Sequence, residues 1–315
     1  MVTTRGKSHT FLGMNFTIRD DKKIEIEMTE QVKETIAAFG EEITNHFATP
    51  AGGDMYVSET DDELLEKEQK ERFHSVTAKL LYLMKRVRPD LEPAVAYLCT
   101  RATKSTTRDW KKLKRVLSYM KDTADDKRII GANSVNDIFT WIDAAHAVHE
   151  NMRSQTGGCM SMGWGVFHAR SGKQKINTKS STESELVGTS DYLPYDIWAI
   201  MFLMAQGYKI VKNILFQDNQ SEIRMLKNGR NSCTGNSRHI DVRYFWVKDR
   251  INKGELTVEY CPTHLMLADY FTKPLQGSQF RKFRDIIMGY KPISTLFDEI
   301  ALKERVELCG DVSKK

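Results

Sequence analysis

Two short apolar runs in the second half of this chain each lead into an aspartate. Ile138 to Ile142 runs into Asp143, and I-L-F-Q runs into Asp218. Runs of this length, rich in β-branched and aromatic residues, read as buried strands. Two further acids fall early in helices. Glu185 lies in the first turn of a helix expected over Thr182 to Gln206, and Asp269 lies early in the last helix. Acids past strand ends and near helix starts can converge at one edge of a sheet. A hard cation such as Mg²⁺ takes oxygen ligands, and two such ions need several carboxylates and little else. Taken singly, each acid has an ordinary alternative. Asp143 could be a turn residue, Glu185 a charge favoured by the helix dipole, and Asp218 a cap. The order strand-Asp, helix-Glu, strand-Asp, helix-Asp is what points to metal.

The expected elements around these acids form an α/β layer. Gly158 to Ile176 reads as a hairpin turning at Arg170 to Lys173, with Gly157 and Gly158 allowing the turn into it. The long helix carries Pro194, which predicts a kink. Asn213 to Phe216 is a strand, Asn219 to Asn228 and Arg238 to Asn252 are helices, and Glu255 to Tyr260 is a strand. This is a mixed sheet with flanking helices. Upstream, Thr10 to Met28 alternates as strands, Thr29 to Gly40 is a short helix, and Phe73 to Val87 a longer one ending before Arg88-Pro89. Thr107 to Lys121 carries Trp110, Leu113, Leu117 and Met120 at helical spacing, with lysines and arginines opposite. That basic face is either solvated surface or a strip along a nucleic-acid duplex. A linker is expected near Thr123 to Asn136, so 1–125 and 136–289 read as two domains and 290–315 as a tail without signal.

The 315 residues suffice for two cores, and the net charge of +5 permits nucleic-acid binding without requiring it. The charge is uneven. Asp54 to Glu71 is acidic and Arg101 to Arg128 basic, which suggests an exposed acidic connector before a basic helix. Cys99, Cys159, Cys233, Cys261 and Cys309 show no paired spacing, against both a disulfide framework and a zinc site. Met1 to Thr10 lacks an apolar signal core and no run is long enough to span a bilayer. The expectation is a cytoplasmic or nuclear protein, not secreted, with no membrane partner and no organic cofactor.

Several strings, in order, resemble the end of the polyprotein of copia-type LTR retrotransposons. They are S-S-T-E-S-E-L at Ser180 to Leu186, Q-D-N-Q-S at Gln217 to Ser221, S-R-H-I-D-V-R-Y at Ser237 to Tyr244, and L-A-D-Y-F-T-K-P-L at Leu267 to Leu275. Upstream, F-L-G-M at Phe11, A-T-P at Ala48, L-L-Y-L with R-P-D-L at Leu80 to Leu91, and W-I-D-A-A-H-A-V-H fit the same order. The resemblance implies a ribonuclease H-like mixed sheet flanked by helices, preceded by a smaller α+β thumb or connection remnant of a reverse transcriptase. It implies a metal-dependent endonuclease that cuts the RNA strand of an RNA–DNA hybrid with two Mg²⁺ or Mn²⁺ ions. The family's D-E-D-D set maps onto Asp143, Glu185, Asp218 and Asp269, with Glu183 as the fallback for the glutamate. The polymerase's Y-x-D-D motif is absent, so the missing N-terminal part of the polymerase is an implied partner. Ala145 stands where relatives often carry a second aspartate. His264 resembles the loop histidine of other ribonucleases H, but its closer spacing to Asp269 favours a surface residue.

A hybrid duplex is recognised through its backbone and 2′-hydroxyls. The candidates for that contact are Arg153, Ser154 and Gln155 after the first aspartate, Asn219 and Gln220 beside the third acid, and Arg238, His239 and Arg243. Tyr244, Phe245 and Trp246 read as core. Two other readings stand beside the nuclease: a catalytically silent, nucleic-acid-binding remnant of a decayed element, and a different nuclease or integrase on the same fold.

Overall fold

The computed structural model describes residues 5–59, 61–228 and 238–299, with helix backbone only at 228, 238–242 and 244. In chain order the elements are β1 (Ser8–Phe11), β2 (Met14–Ile18), β3 (Ile24–Glu27), α1 (Thr29–Ala37), α2 (Lys67–Arg86), α3 (Glu92–Arg101) and α4 (Thr107–Asp122). Then come β4 (Arg128–Ala132), β5 (Asp137–Ala145), β6 (Gln155–Ser161), β7 (Gly163–Trp164), β8 (His168–Lys173) and α5 (Ser181–Ala205). The last are β9 (Lys212–Gln217), α6 (Gln220–Asn228), α7 (Arg238–Asn252), β10 (Thr257–Tyr260), α8 (Asp269–Thr272) and α9 (Gly277–Ile287).

The strands form two sheets. One has the order β1-β2-β3-β4-β7 and the other β10-β9-β5-β6-β8. In the second, β5, β6 and β8 are antiparallel, whereas β9 and β10 join β5 in parallel after helical crossovers. This is the mixed, helix-flanked sheet that the sequence led us to expect. Side chains alternate across β5. Ile138 and Ile142 enter a core with Leu186 and Leu193 of α5, Leu215 of β9 and Val247 of α7. Trp141, on the opposite face, enters a second core with Phe216, α9 and the helices of the first half.

That second core runs unbroken from Ile26 to Leu296. Two expectations change with it. The stretch expected as a linker contains β4, which pairs with β3 on one side and β7 on the other. The start of the expected tail is also packed: Ile293 and Leu296 are buried, and the Phe297 ring lies 5.6 Å from Phe139 and 5.5 Å from Phe216. These contacts are long-range and leave no periodic signal in so short a segment.

Other local features differ for identifiable reasons. The hairpin turns at 162–167, and Arg170 to Lys173 belongs to β8. Gly157 and Gly158 lie inside β6, where they admit close neighbours rather than a turn. A Cβ at Gly157 would come 2.6 Å from Thr272 Cγ2 and 2.9 Å from the Phe271 carbonyl carbon. A Cβ at Gly158 would come 2.6 Å from the Tyr192 ring. The first glycine lets α8 lie on the sheet and the second lets α5 do so. Helix α5 is a single element across Pro194, α2 starts six residues earlier than expected at Lys67, and α3 was not anticipated.

The two opposite-sign blocks satisfy each other. Arg108 of α4 donates to Asp62 at 2.8 Å and pairs with Glu59, and Lys114 pairs with Glu41. Lys112 donates to the Val57 carbonyl at 2.6 Å, Arg115 to Thr49 Oγ1 at 2.8 Å, and Lys121 to the Ile43 carbonyl at 2.8 Å. Most of the basic face of α4 is therefore committed to the protein's own acidic and loop segments. Cys99, Cys159 and Cys261 are free thiols, while Cys233 and Cys309 lie outside the described residues. Among the described residues no helix is long and apolar enough to cross a membrane.

Candidate metal centre

The parallel pairing of β5 with β9 sets the first two acids side by side. Trp141 is level with Phe216 at the last registered pair. Two residues further along each chain stand Asp143 and Asp218, at the same edge of the sheet. The third acid arrives from α8, which Gly157 allows to rest on β6, so that Asp269 at its first residue reaches the same edge. Carboxylate oxygens of Asp143, Asp218 and Asp269 lie within 4.8 Å of one another. Glu185, in the second turn of α5, is buried against Asp143.

Hydroxyls hold two of these groups in place. Thr272 Oγ1 donates to Asp143 Oδ2, and Thr263 Oγ1 donates to Asp218 Oδ2 at 2.9 Å. Lys273 Nζ lies 2.6 Å from Asp269 Oδ1 and 3.8 Å from Asp143 Oδ2. One ammonium does not balance the cluster. Like charges 4.8 Å apart repel by roughly 3 kcal/mol at an effective dielectric of about 20. The proton affinities respond accordingly. Burial, and then the Asp143 charge, push Asp269 up to about 7 and raise Asp218. Burial followed by Asp143 raises Glu185 well above the usual carboxylate range. Lys273 is held above its ordinary value by Asp143 and Asp269, although burial pulls it down.

The donor set suits divalent cations. It consists of carboxylate oxygens, the ligands that hard ions of the Mg²⁺ class take. Among the described residues Glu185 Oε2 is buried with no hydrogen-bond partner, an arrangement that costs free energy unless a cation or a proton meets it.

Glu183 and Glu185 divide the work at the start of α5. Ser180 Oγ accepts from the Glu183 amide, and Glu183 Oε2 accepts from the Lys179 amide at 2.7 Å. Glu183 therefore closes the helix end, and Glu185 faces the cluster. A fifth acid, Glu222 of α6, escaped the sequence reading. It is fully buried, accepts a hydrogen bond from Gln217 Nε2, and burial followed by Asp218 and Asp143 pushes it up to about 8. Its signal was available: position 222 shares the buried face of α6 with Ile223 and Leu226, four residues after Asp218.

The residues expected to meet substrate separate into two groups. Ser154 and Gln155 are buried, which corrects their assignment as direct contacts. Ser154 Oγ accepts from the Ala147 amide and lies 3.0 Å from Ser184 Oγ, and Gln155 bridges His149 and Ser171 at 2.7 Å each. They set the shape of the loop after β5. Asn219 Oδ1 caps α6 by accepting from the Ser221 and Glu222 amides. Arg243 is ion-paired with Asp191 of α5. Gln220 is exposed, two residues after Asp218, and Arg153 is half-buried in the loop between β5 and β6. The side chains of Arg238, His239 and Tyr244 lie outside the described residues, whereas Phe245 is 47% exposed and so is not core. His264 is exposed, next to the threonine that holds Asp218.

No protein-family model matches the chain. It is 25% identical over 288 residues to the retrovirus-related Pol polyprotein from transposon TNT 1-94 of Nicotiana tabacum, covering 90% of this chain and 22% of that protein. It is 27% identical over 213 residues to the corresponding polyprotein from transposon RE2 of Arabidopsis thaliana, covering 67% of this chain and 14% of the other. Against the transposon Ty1-JR1 Gag-Pol polyprotein of Saccharomyces cerevisiae, identity is 23% over 286 residues, 87% of this chain and 16% of that one. Among solved structures, a foamy viral protease-reverse transcriptase in complex with an RNA/DNA hybrid aligns with 86% of this chain and 31% of its own, at 13% identity and a TM-score of 0.49. The chain thus spans about a fifth or less of the curated relatives it matches, and its homologues are the Pol polyproteins of copia-type and Ty1 retrotransposons.

Proposed function

We propose that the second half of this chain is a ribonuclease H, which cuts the RNA strand of an RNA–DNA hybrid with two divalent ions, Mg²⁺ or Mn²⁺. The observation that carries this reading is the convergence of Asp143, Asp218 and Asp269 within 4.8 Å at one sheet edge, with Glu185 behind them. Relatives that are Pol polyproteins of retroelements support it.

In this reading Asp143, Glu185, Asp218 and Asp269 hold the ions, and Thr272 and Thr263 orient two of the carboxylates. Divalent cations held there would supply the chemistry of water activation and of charge stabilisation on the leaving oxygen of a phosphoryl displacement. Lys273 balances part of the negative charge before metal arrives. Gln220, two residues after Asp218, and Arg153, in the loop after β5, are the remaining candidates to meet backbone phosphate or 2′-hydroxyl groups.

The test is cleavage of a labelled RNA–DNA hybrid in Mg²⁺, with duplex DNA and an Asp143→Asn variant beside it. Cutting of the RNA strand alone, lost in the variant, is the expected result. Binding without cutting in either metal would establish the silent remnant instead. Equal cutting of duplex DNA would establish a nuclease of different selectivity.

A further inference from the structure

Helix α5 has two apolar faces, and among the described residues only one of them is covered. Tyr192, Leu193 and Ala199 face the sheet. On the other side Trp198, Met201, Phe202 and Ala205 form an exposed stripe at spacings of three, four and seven residues. Surface helices ordinarily present polar side chains there. Between Tyr192 and Tyr208 the one charged residue is Asp196, and it is buried, accepting hydrogen bonds from Thr140 Oγ1 and Asn213 Nδ2 at 2.7 Å each. The Trp198 and Phe202 rings stack at 5.4 Å, which stiffens the stripe. Met204, Tyr208 and Val211 extend the patch around the helix end.

The area involved is that of an interface. Six large side chains (Trp198, Met201, Phe202, Met204, Tyr208 and Val211) are 44 to 65% exposed. At roughly 200 Å² per large side chain they leave on the order of 700 Å² of apolar surface in water. That exceeds the largest patch of an ordinary monomer, about 300–600 Å², and approaches the ~800 Å² each partner buries in a stable complex.

We propose that this face docks a second copy of the chain, α5 against α5, antiparallel about a two-fold axis. The stripe is self-complementary in that register. With the axis between residues 201 and 202, each Met201 meets the partner copy's Phe202 position, and each Trp198 meets the partner copy's Ala205 position. The bulkiest side chain thereby lies over the smallest, as close packing of two helices requires. A two-fold contact also closes on itself, so the patch is consumed in a dimer without open-ended growth.

The test is sedimentation equilibrium of the whole chain from about 1 to 100 μM, beside Ala205→Glu and Met201→Gln variants. Both substitutions sit on an exposed helix face and use good helix formers, so folding is retained, as a melting curve will show. The wild type should dimerise, and Ala205→Glu should weaken the dimer by about thirtyfold or more, as for a central interface position, with Met201→Gln intermediate. A wild type that stays monomeric at the highest concentration would overturn the proposal. So would association beyond a dimer, or a dimer indifferent to both variants.

Discussion

Two buried acidic centres share α8, and they are built in opposite ways. Asp90 is fully buried, but Arg88 donates to both its oxygens at 2.9 and 2.8 Å, Tyr119 donates at 2.7 Å, and Arg284 lies 3.4 Å away. Burial pushes Asp90 up, yet the Arg88 and Arg284 guanidiniums and the Tyr119 hydroxyl outweigh it and hold the carboxyl down at about 2. Asp269 is less buried and meets one lysine and two aspartates, and it is pushed up to about 7. Tyr270, its neighbour, donates to the Asp90 carbonyl at 3.0 Å. One turn of helix thus touches a neutralised cluster with one side chain and an unneutralised one with the next. A neutralised cluster holds elements together; an unneutralised one could hold a cation.

The difference between the clusters can be broken from either side. The largest effect expected is on cleavage. Asp143→Asn should lower the rate at least about a thousandfold, since several kcal/mol of metal-borne stabilisation is lost, while the metal-free protein melts no lower than wild type because repulsion is relieved. Initial rates and a melting curve check both halves. Arg88→Met should do the reverse in stability. It strands a buried carboxylate and should cost about 3–5 kcal/mol, measured by urea unfolding.

The pH dependence separates the clusters next. Carboxyls raised by folding, such as Asp269 and Glu222, bind protons more tightly in the native state than in the unfolded chain, so they oppose folding as pH rises. The metal-free protein should therefore lose several degrees of melting temperature between about pH 5 and 8, and Mg²⁺ should restore them at pH 8 but not at pH 5. Asp90 carries the opposite sign. Its folded value lies below its unfolded one, so its contribution is present above about 4 and is lost as pH falls toward 2. The smallest effect is at Glu183. Glu183→Gln should cost less than about 1 kcal/mol and leave cleavage near wild type, because its role is at the helix end.

The sheet was legible because its strands are short apolar runs bounded by turns, and the acids were legible because they stand at the ends of those runs. What escaped depends on contacts across the chain. Strand β4 has the composition of a linker and becomes a strand through β3, about a hundred residues earlier. The roles of Gly157 and Gly158 emerge only when α8 and α5 lie on β6. Ser154 and Gln155 follow an aspartate in sequence exactly as surface loop residues would, and only tertiary packing buries them. Glu222 was missed because an acid near a helix start has an ordinary reading in the helix dipole.

The most direct test of the central contrast is a Mn²⁺ titration followed by calorimetry at pH 8, on wild type, Asp143→Asn and Asp269→Asn. The account predicts saturable binding in the wild type that is lost or strongly weakened in both variants, with Arg88→Lys leaving it unchanged. Binding that persists in both aspartate variants, or no binding in the wild type, would contradict the assignment of this cluster as a metal centre.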